Sequence, residues 1–158
     1  MTKVQKISIT ALRIGLGWLF FYAGISKILN PSWTAEKYIK GTKLFAQFYA
    51  WLTLPQNMGW VNILNEWGLL LIGIALILGL AVRSASIFGI LIMALYYIPI
   101  LTFPFVGTTA YLIDDHIIFI LLFVALIAFR AGTYWGLDGM IERSKKIPES
   151  WKKCLWCK

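Results

Sequence analysis

The apolar residues of this chain gather in four runs, 7–29, 59–80, 84–103 and 112–129. Each is near the roughly 20 residues needed to cross about 30 Å of hydrocarbon at 1.5 Å per residue. The pattern predicts an all-α membrane protein, a bundle of four transmembrane helices. The stretch 31–52 is too polar to span. It puts Gly41, Leu44, Phe45, Phe48 and Leu52 on one face and turns Lys37, Lys40 and Lys43 toward water. It therefore reads as an amphipathic helix or re-entrant flap on the outer surface, with Asn30 as N-cap and Pro31 at the first helical position. The turn at 81–83 is so short that the second and third helices must be antiparallel neighbours. Inside the third run, Pro99 removes a backbone donor and frees the carbonyl near Leu95. Beyond residue 139 a basic, tryptophan-dotted tail to 158 is expected on the inner membrane surface.

Composition agrees with that pattern. Hydrophobic residues make up 59% of the chain and charged residues 14%, against about 25% charged in a soluble domain. The mean hydropathy is +0.74, so residues 1–158 form one integral membrane domain. Lys3 and Lys6 ahead of an apolar run resemble a secretory signal. Arg13 inside the run, its full spanning length and the lack of an A-x-A-like cleavage site favour an uncleaved helix.

Charge sets the expected orientation. With both termini cytoplasmic, the inner side holds Lys3, Lys6, Arg13, Arg83, Arg130, Arg143, Lys145, Lys146, Lys152, Lys153 and Lys158, against Lys27, Lys37, Lys40 and Lys43 outside. That bias predicts a multi-pass protein of the cell membrane. The net charge of +8 is then a topology signal beside anionic lipid, and nothing points to nucleic acid.

Ionisable side chains near or inside the bilayer are costly and usually face a bundle interior or a cavity. Asp114, Asp115 and His116 open the fourth run, and Lys27, Asn62, Glu66 and Tyr96 form the other polar outliers. In the first helix Arg13, Gly17, Phe20, Gly24 and Lys27 share a stripe, with the glycines admitting a neighbour. Asn62, Glu66, Leu69 and Gly73 share another. At its expected depth Glu66 is either paired with Lys27 or raised in pKa by desolvation. Bland readings stand beside these: Lys27 snorkelling to the interface, a purely structural Glu66–Lys27 pair, and a satisfied structural histidine at His116. Cys154 and Cys157 form a C-x-x-C, the spacing of half a zinc site or a redox pair, but a tetrahedral metal site needs two more ligands, so no metal is expected, and on the cytoplasmic side the thiols should be reduced.

One histidine cannot supply two axial haem ligands, and neither a dinucleotide loop nor a P-loop is present. No haem, flavin or metal is evident in the chain itself. Electrons would pass between substrates directly or through a partner subunit.

The pattern Arg13-Ile-Gly-Leu-Gly17, Gly24-Ile-Ser-Lys27, Asn30-Pro31-Ser-Trp33, Glu66 with Gly73, Leu78-Gly79-Leu80 and Arg83 resembles the DoxX/DoxD family. The exit Gly132-Thr-Tyr-Trp135-Gly136-Leu137-Asp138 is similar to that family's closing motif. The resemblance implies four membrane helices, and the family's named members include the small subunit of a thiosulfate:quinone oxidoreductase. Together with the residues it implies a polar cavity toward the outer leaflet and a quinone as the redox partner. Glu66, Asp115, His116 and Lys27 are then the candidate catalytic groups. Tyr96, Phe20, Trp67, Phe119 and Asn62 are the candidate quinone contacts, and Lys27, Lys37, Lys40 and Lys43 would attract the anionic thiosulfate. Two thiosulfates would give tetrathionate, and the quinone would become quinol. Two other classes fit the same residues: a non-catalytic accessory subunit of a respiratory or sulfur-oxidising complex, bound to lipid and partner subunits, and a small transporter.

Overall fold

The computed structural model describes residues 1–107 and 110–144. In order it places α1 (Lys3–Ile28), α2 (Glu36–Ile39), α3 (Ala46–Leu52), α4 (Pro55–Leu78) and α5 (Val82–Ile100). Three two-residue strands follow, β1 (Leu101–Thr102), β2 (Phe105–Val106) and β3 (Ala110–Tyr111), then α6 (Asp115–Ala128), a 3-10 turn (Ala131–Thr133) and α7 (Leu137–Arg143). Helices α1, α4 and α5 are long and apolar enough to cross a membrane. Helix α6 is apolar but has 14 residues, about 21 Å at 1.5 Å each. The expected run 112–129 is shortened because Asp114 caps the helix, its Oδ1 accepting from His116 N at 3.1 Å and Ile117 N at 3.3 Å.

Other boundaries move for local reasons. Helix α4 begins earlier than expected, since Pro55 sits at its first turn, where a missing N–H costs nothing. Helix α5 ends at Ile100 rather than 103. Phe103 precedes Pro104, which biases it toward extended backbone, and the chain turns into the small antiparallel sheet β1-β2-β3. The segment 31–52 is not one amphipathic helix but holds two short ones. Gly41 (φ 86°) and Phe45 (φ 55°) break the helical path between α2 and α3. Asn30 does not cap a helix at Pro31 either; its Oδ1 accepts from the backbone and hydroxyl of Ser32 in a local turn. The tail beyond Ser144, with Cys154 and Cys157, lies outside the described residues.

Packing follows the small residues. Helix α1 lies mainly against α4, and α5 against both α4 and α6. At Gly73 the backbone of α1 at Phe21 and Gly17 occupies the space a Cβ would need, and at Gly24 the backbone of Leu70 does the same. In lipid there is no hydrophobic drive between helices, so close van der Waals approach of this kind carries association. The Gly17–Gly24 stripe thus faces the bundle. Phe20 stacks edge-on against Phe119 and Phe123 in the core, and the Phe123 ring fills the space over Gly89. Trp18, Tyr22, Leu71, Phe88 and Leu121 remain exposed. Less than half of each long helix is covered by the chain itself. Apolar faces left open on so many helices are those of a protein solvated by lipid.

Candidate functional site

Two polar centres sit at opposite ends of the bundle. The turn end carries the α4–α5 turn; the segment end carries α2 and α3.

At the turn end Arg13 is 1% exposed. Its Nη1 donates to Ala131 O at 2.7 Å and Tyr134 O at 3.1 Å, and its Nη2 to Trp135 O at 3.3 Å. Asp138 completes the clasp from α7, its carboxylate accepting from Ala81 N at 2.7 Å and Val82 N at 3.2 Å. Its own N–H donates to Gly79 O at 2.9 Å. Gly79 must be glycine twice over, for its φ of 65° and because Gly136 and Arg13 crowd it. Burial pushes the Asp138 carboxyl up to about 6, against the pull of its two backbone donors and of Arg13. Every partner here is backbone or a charge of the same clasp. This centre ties α1, the α4–α5 turn and the exit of α6 together.

The segment end holds a cavity of about 360 Å³, within the 300–1,000 Å³ usual for small-molecule sites. Aromatic residues dominate its wall: Trp33, Tyr38, Phe48, Tyr49, Trp51, Trp60 and Tyr96, with Lys27, Asn65 and His116 as polar points. The α2–α3 segment forms one side, and α4, α5, the end of α1 and the start of α6 form the rest.

The segment is held down at several points. Tyr49 is 2% exposed and donates its hydroxyl to Leu95 O at 3.0 Å. Leu95 lies four residues before Pro99, so this is the carbonyl the proline leaves without a helical donor. Burial raises the Tyr49 hydroxyl from its ordinary value, keeping it a donor. Asn62 Oδ1 accepts from Ala35 N at 3.0 Å, and Asn57 Nδ2 donates to Trp51 O at 2.7 Å.

On the wall, Lys27 Nζ donates to Ala23 O at 3.2 Å and lies 5.3 Å from the Trp33 ring centre, within cation–π range. The Tyr96 hydroxyl donates to Asn65 Oδ1, and Asn65 Nδ2 donates to Val61 O at 3.1 Å. His116 meets the Tyr96 ring edge-on at 6.0 Å, and its Nδ1 is 2.6 Å from Asp114 Oδ2. With the Asp114 carboxylate as acceptor, Nδ1 is the donor nitrogen of this pair.

Of the residues singled out from sequence, Lys27, Tyr96 and His116 meet in this cavity. The others stand outside its wall. Phe20 and Phe119 pack into the helix core, because the α1 stripe that carries Phe20 faces α4 and α6. Trp67 is half exposed on the lipid side of α4. Asn62 positions the segment rather than facing the cavity. Glu66 is partly buried but forms no ion pair with Lys27. Asp115 is exposed, since a 100° step separates it from each neighbour and Asp114 takes the position beside His116. Lys37, Lys40 and Lys43 are exposed outside the cavity, Lys40 pairing with Glu36 at 3.4 Å. Sequence reasoning missed Asn65, Tyr49, Asp114 and Trp33 as site groups. The signal for Tyr49 was present, since a carbonyl freed by Pro99 calls for a donor.

Apolar helices with open faces and a cavity covered by the short α2–α3 segment define a multi-pass helical membrane protein with an aromatic-walled cavity at one end. The chain belongs to the DoxX family, whose model matches residues 8–102, more than half its length. No curated protein and no solved structure matches it significantly.

Proposed function

We propose that this DoxX-family protein is a quinone-binding subunit of a membrane oxidoreductase, with the quinone headgroup in the cavity at the segment end. The observation that supports it is an aromatic-walled cavity of about 360 Å³ in which Lys27, Asn65, Tyr96 and His116 converge. A flat, apolar ring bearing carbonyl oxygens suits such a site: the walls take the ring and the polar points take the oxygens. Reducing a quinone requires two electrons and two protons. His116 is the proton-handling group on the wall, and Asp114 positions it. Glu66 and Asp115, outside the wall, are left to shape the local field.

The electrons come from a second substrate or a partner subunit. Thiosulfate fits the first case: oxidation of two thiosulfates to tetrathionate releases the two electrons that convert quinone to quinol. Lys37, Lys40 and Lys43 would concentrate that anion at the mouth of the site. The basic bias supports an orientation with the segment end outside and both termini in the cytoplasm of a cell-membrane protein.

The test is to purify the chain alone from its native membrane, extract it with organic solvent and quantify quinone by mass spectrometry. Quinone near one per chain, reduced in His116→Ala, is the expected result. Quinone no higher than in an unrelated membrane protein purified alongside would overturn the reading and favour an accessory subunit.

A further inference from the structure

We infer that the segment-end cavity selects ligands that carry an anionic oxygen beside an aromatic ring, with Lys27 as the recognising group. This deepens the quinone reading and rests on it.

Several polar side chains on the wall already have partners. The Tyr96 hydroxyl is given to Asn65, Asn65 Nδ2 to Val61 O, the Tyr49 hydroxyl to Leu95 O, and His116 Nδ1 to Asp114. Lys27 is different. An ammonium carries three N–H donors, and one is taken, by Ala23 O. The Trp33 ring contributes a cation–π contact but no hydrogen-bond acceptor in the usual sense. Lys27 is the one lysine or arginine among the described residues on the wall, and no carboxylate lines it. Glu66 is near enough for its charge to reach Lys27, yet it makes no ion pair and stays off the wall.

A cation held against aromatic rings with no anionic partner in the cavity favours an anionic oxygen over a neutral one. The bond is charge-assisted, and the apolar wall screens it less than water would. The ring itself is taken by the same walls in either case. Lipid-soluble aromatic molecules with an ionised hydroxyl, the quinol monoanion or a hydroxyquinone, meet both requirements. Cationic amphiphiles of the same size do not.

The experiment compares 2-hydroxy-1,4-naphthoquinone, ionised at pH 7, with its neutral 2-methoxy counterpart on the full chain in nanodiscs. Binding is read by tryptophan fluorescence quenching corrected for ligand absorption, since Trp33, Trp51 and Trp60 line the cavity. The anion should bind at least about tenfold tighter. Lys27→Met should remove that preference while the neutral probe still binds, which also shows that the variant is folded. Glu66→Gln should widen the preference by removing a competing negative charge. Equal affinities in the wild type, or a preference that survives Lys27→Met, overturn the inference and leave the quinone reading standing. Binding of neither probe removes the quinone reading itself. If Lys27→Met loses both probes, the Glu66→Gln ratio decides, and an unchanged ratio counts against Lys27.

Discussion

The hydroxyl of Tyr49 on the short helix α3 meets the carbonyl of Leu95 on α5 at 3.0 Å. Pro99 withholds the helical donor from that carbonyl, and the α2–α3 segment supplies one instead. The proline is therefore half of a latch between the segment and the bundle. Tyr49→Phe should cost about 1–3 kcal/mol, because a buried acceptor loses its partner. Pro99→Ala restores a backbone N–H four residues on, so Tyr49→Phe should cost markedly less in that background. Thermal unfolding of the two single variants and the double variant in detergent checks this; additive losses would show that the two residues act separately.

Gly73→Ala should lower folded yield and stability by about 1–3 kcal/mol, since the new Cβ meets the backbone of Phe21 and cannot be relieved by a side-chain rotation. Gly15 and Gly59 have open space around the same position. Alanine at either should be neutral or stabilising by up to about 1 kcal/mol. Thermal stability of the three variants is the measurement.

Asp138 makes the turn end pH-sensitive, and the sign is set by its raised pKa. The folded form binds the proton more tightly than the unfolded form, from the ordinary 3.8 up to about 6. The stability this group contributes is therefore full below 3.8 and is lost as pH rises to about 6. In Asp138→Asn that part of the pH dependence should vanish. The difference in Tm between wild type and variant, followed across this window, should fall with rising pH.

Within the cavity, Tyr96→Phe and His116→Ala should weaken quinone binding, and Trp67→Phe should not, because Trp67 faces lipid. Fluorescence titration with a short-chain quinone separates the three. Equal weakening in all of them would argue for a site elsewhere.

The expected topology places Lys40 outside and Lys3 inside. With Cys154 and Cys157 replaced by Ser, Lys40→Cys should react with an impermeant thiol reagent in intact cells, and Lys3→Cys only after permeabilisation. The reverse pattern would invert the assignment.

Sequence alone determined the membrane class, the positions of the apolar runs, the antiparallel α4–α5 pair and the bundle-facing glycines. These follow from length, periodicity and residue size, which are local properties of the chain. It also reached Lys27, Tyr96 and His116, because polar residues within apolar runs stand out wherever they fall. Tertiary structure decided the rest. Whether Glu66 or Asn65 reaches the cavity depends on a 100° rotation about α4, and an apolar run does not set that rotation when lipid and protein are equally apolar. The same holds for Asp114 over Asp115, settled by the N-cap of α6. Arg13 reads along the chain as one more cation near a membrane surface. It became the buried centre of a clasp only because residues 131–135 return to it across the fold, bringing three carbonyl oxygens that no local pattern foretells.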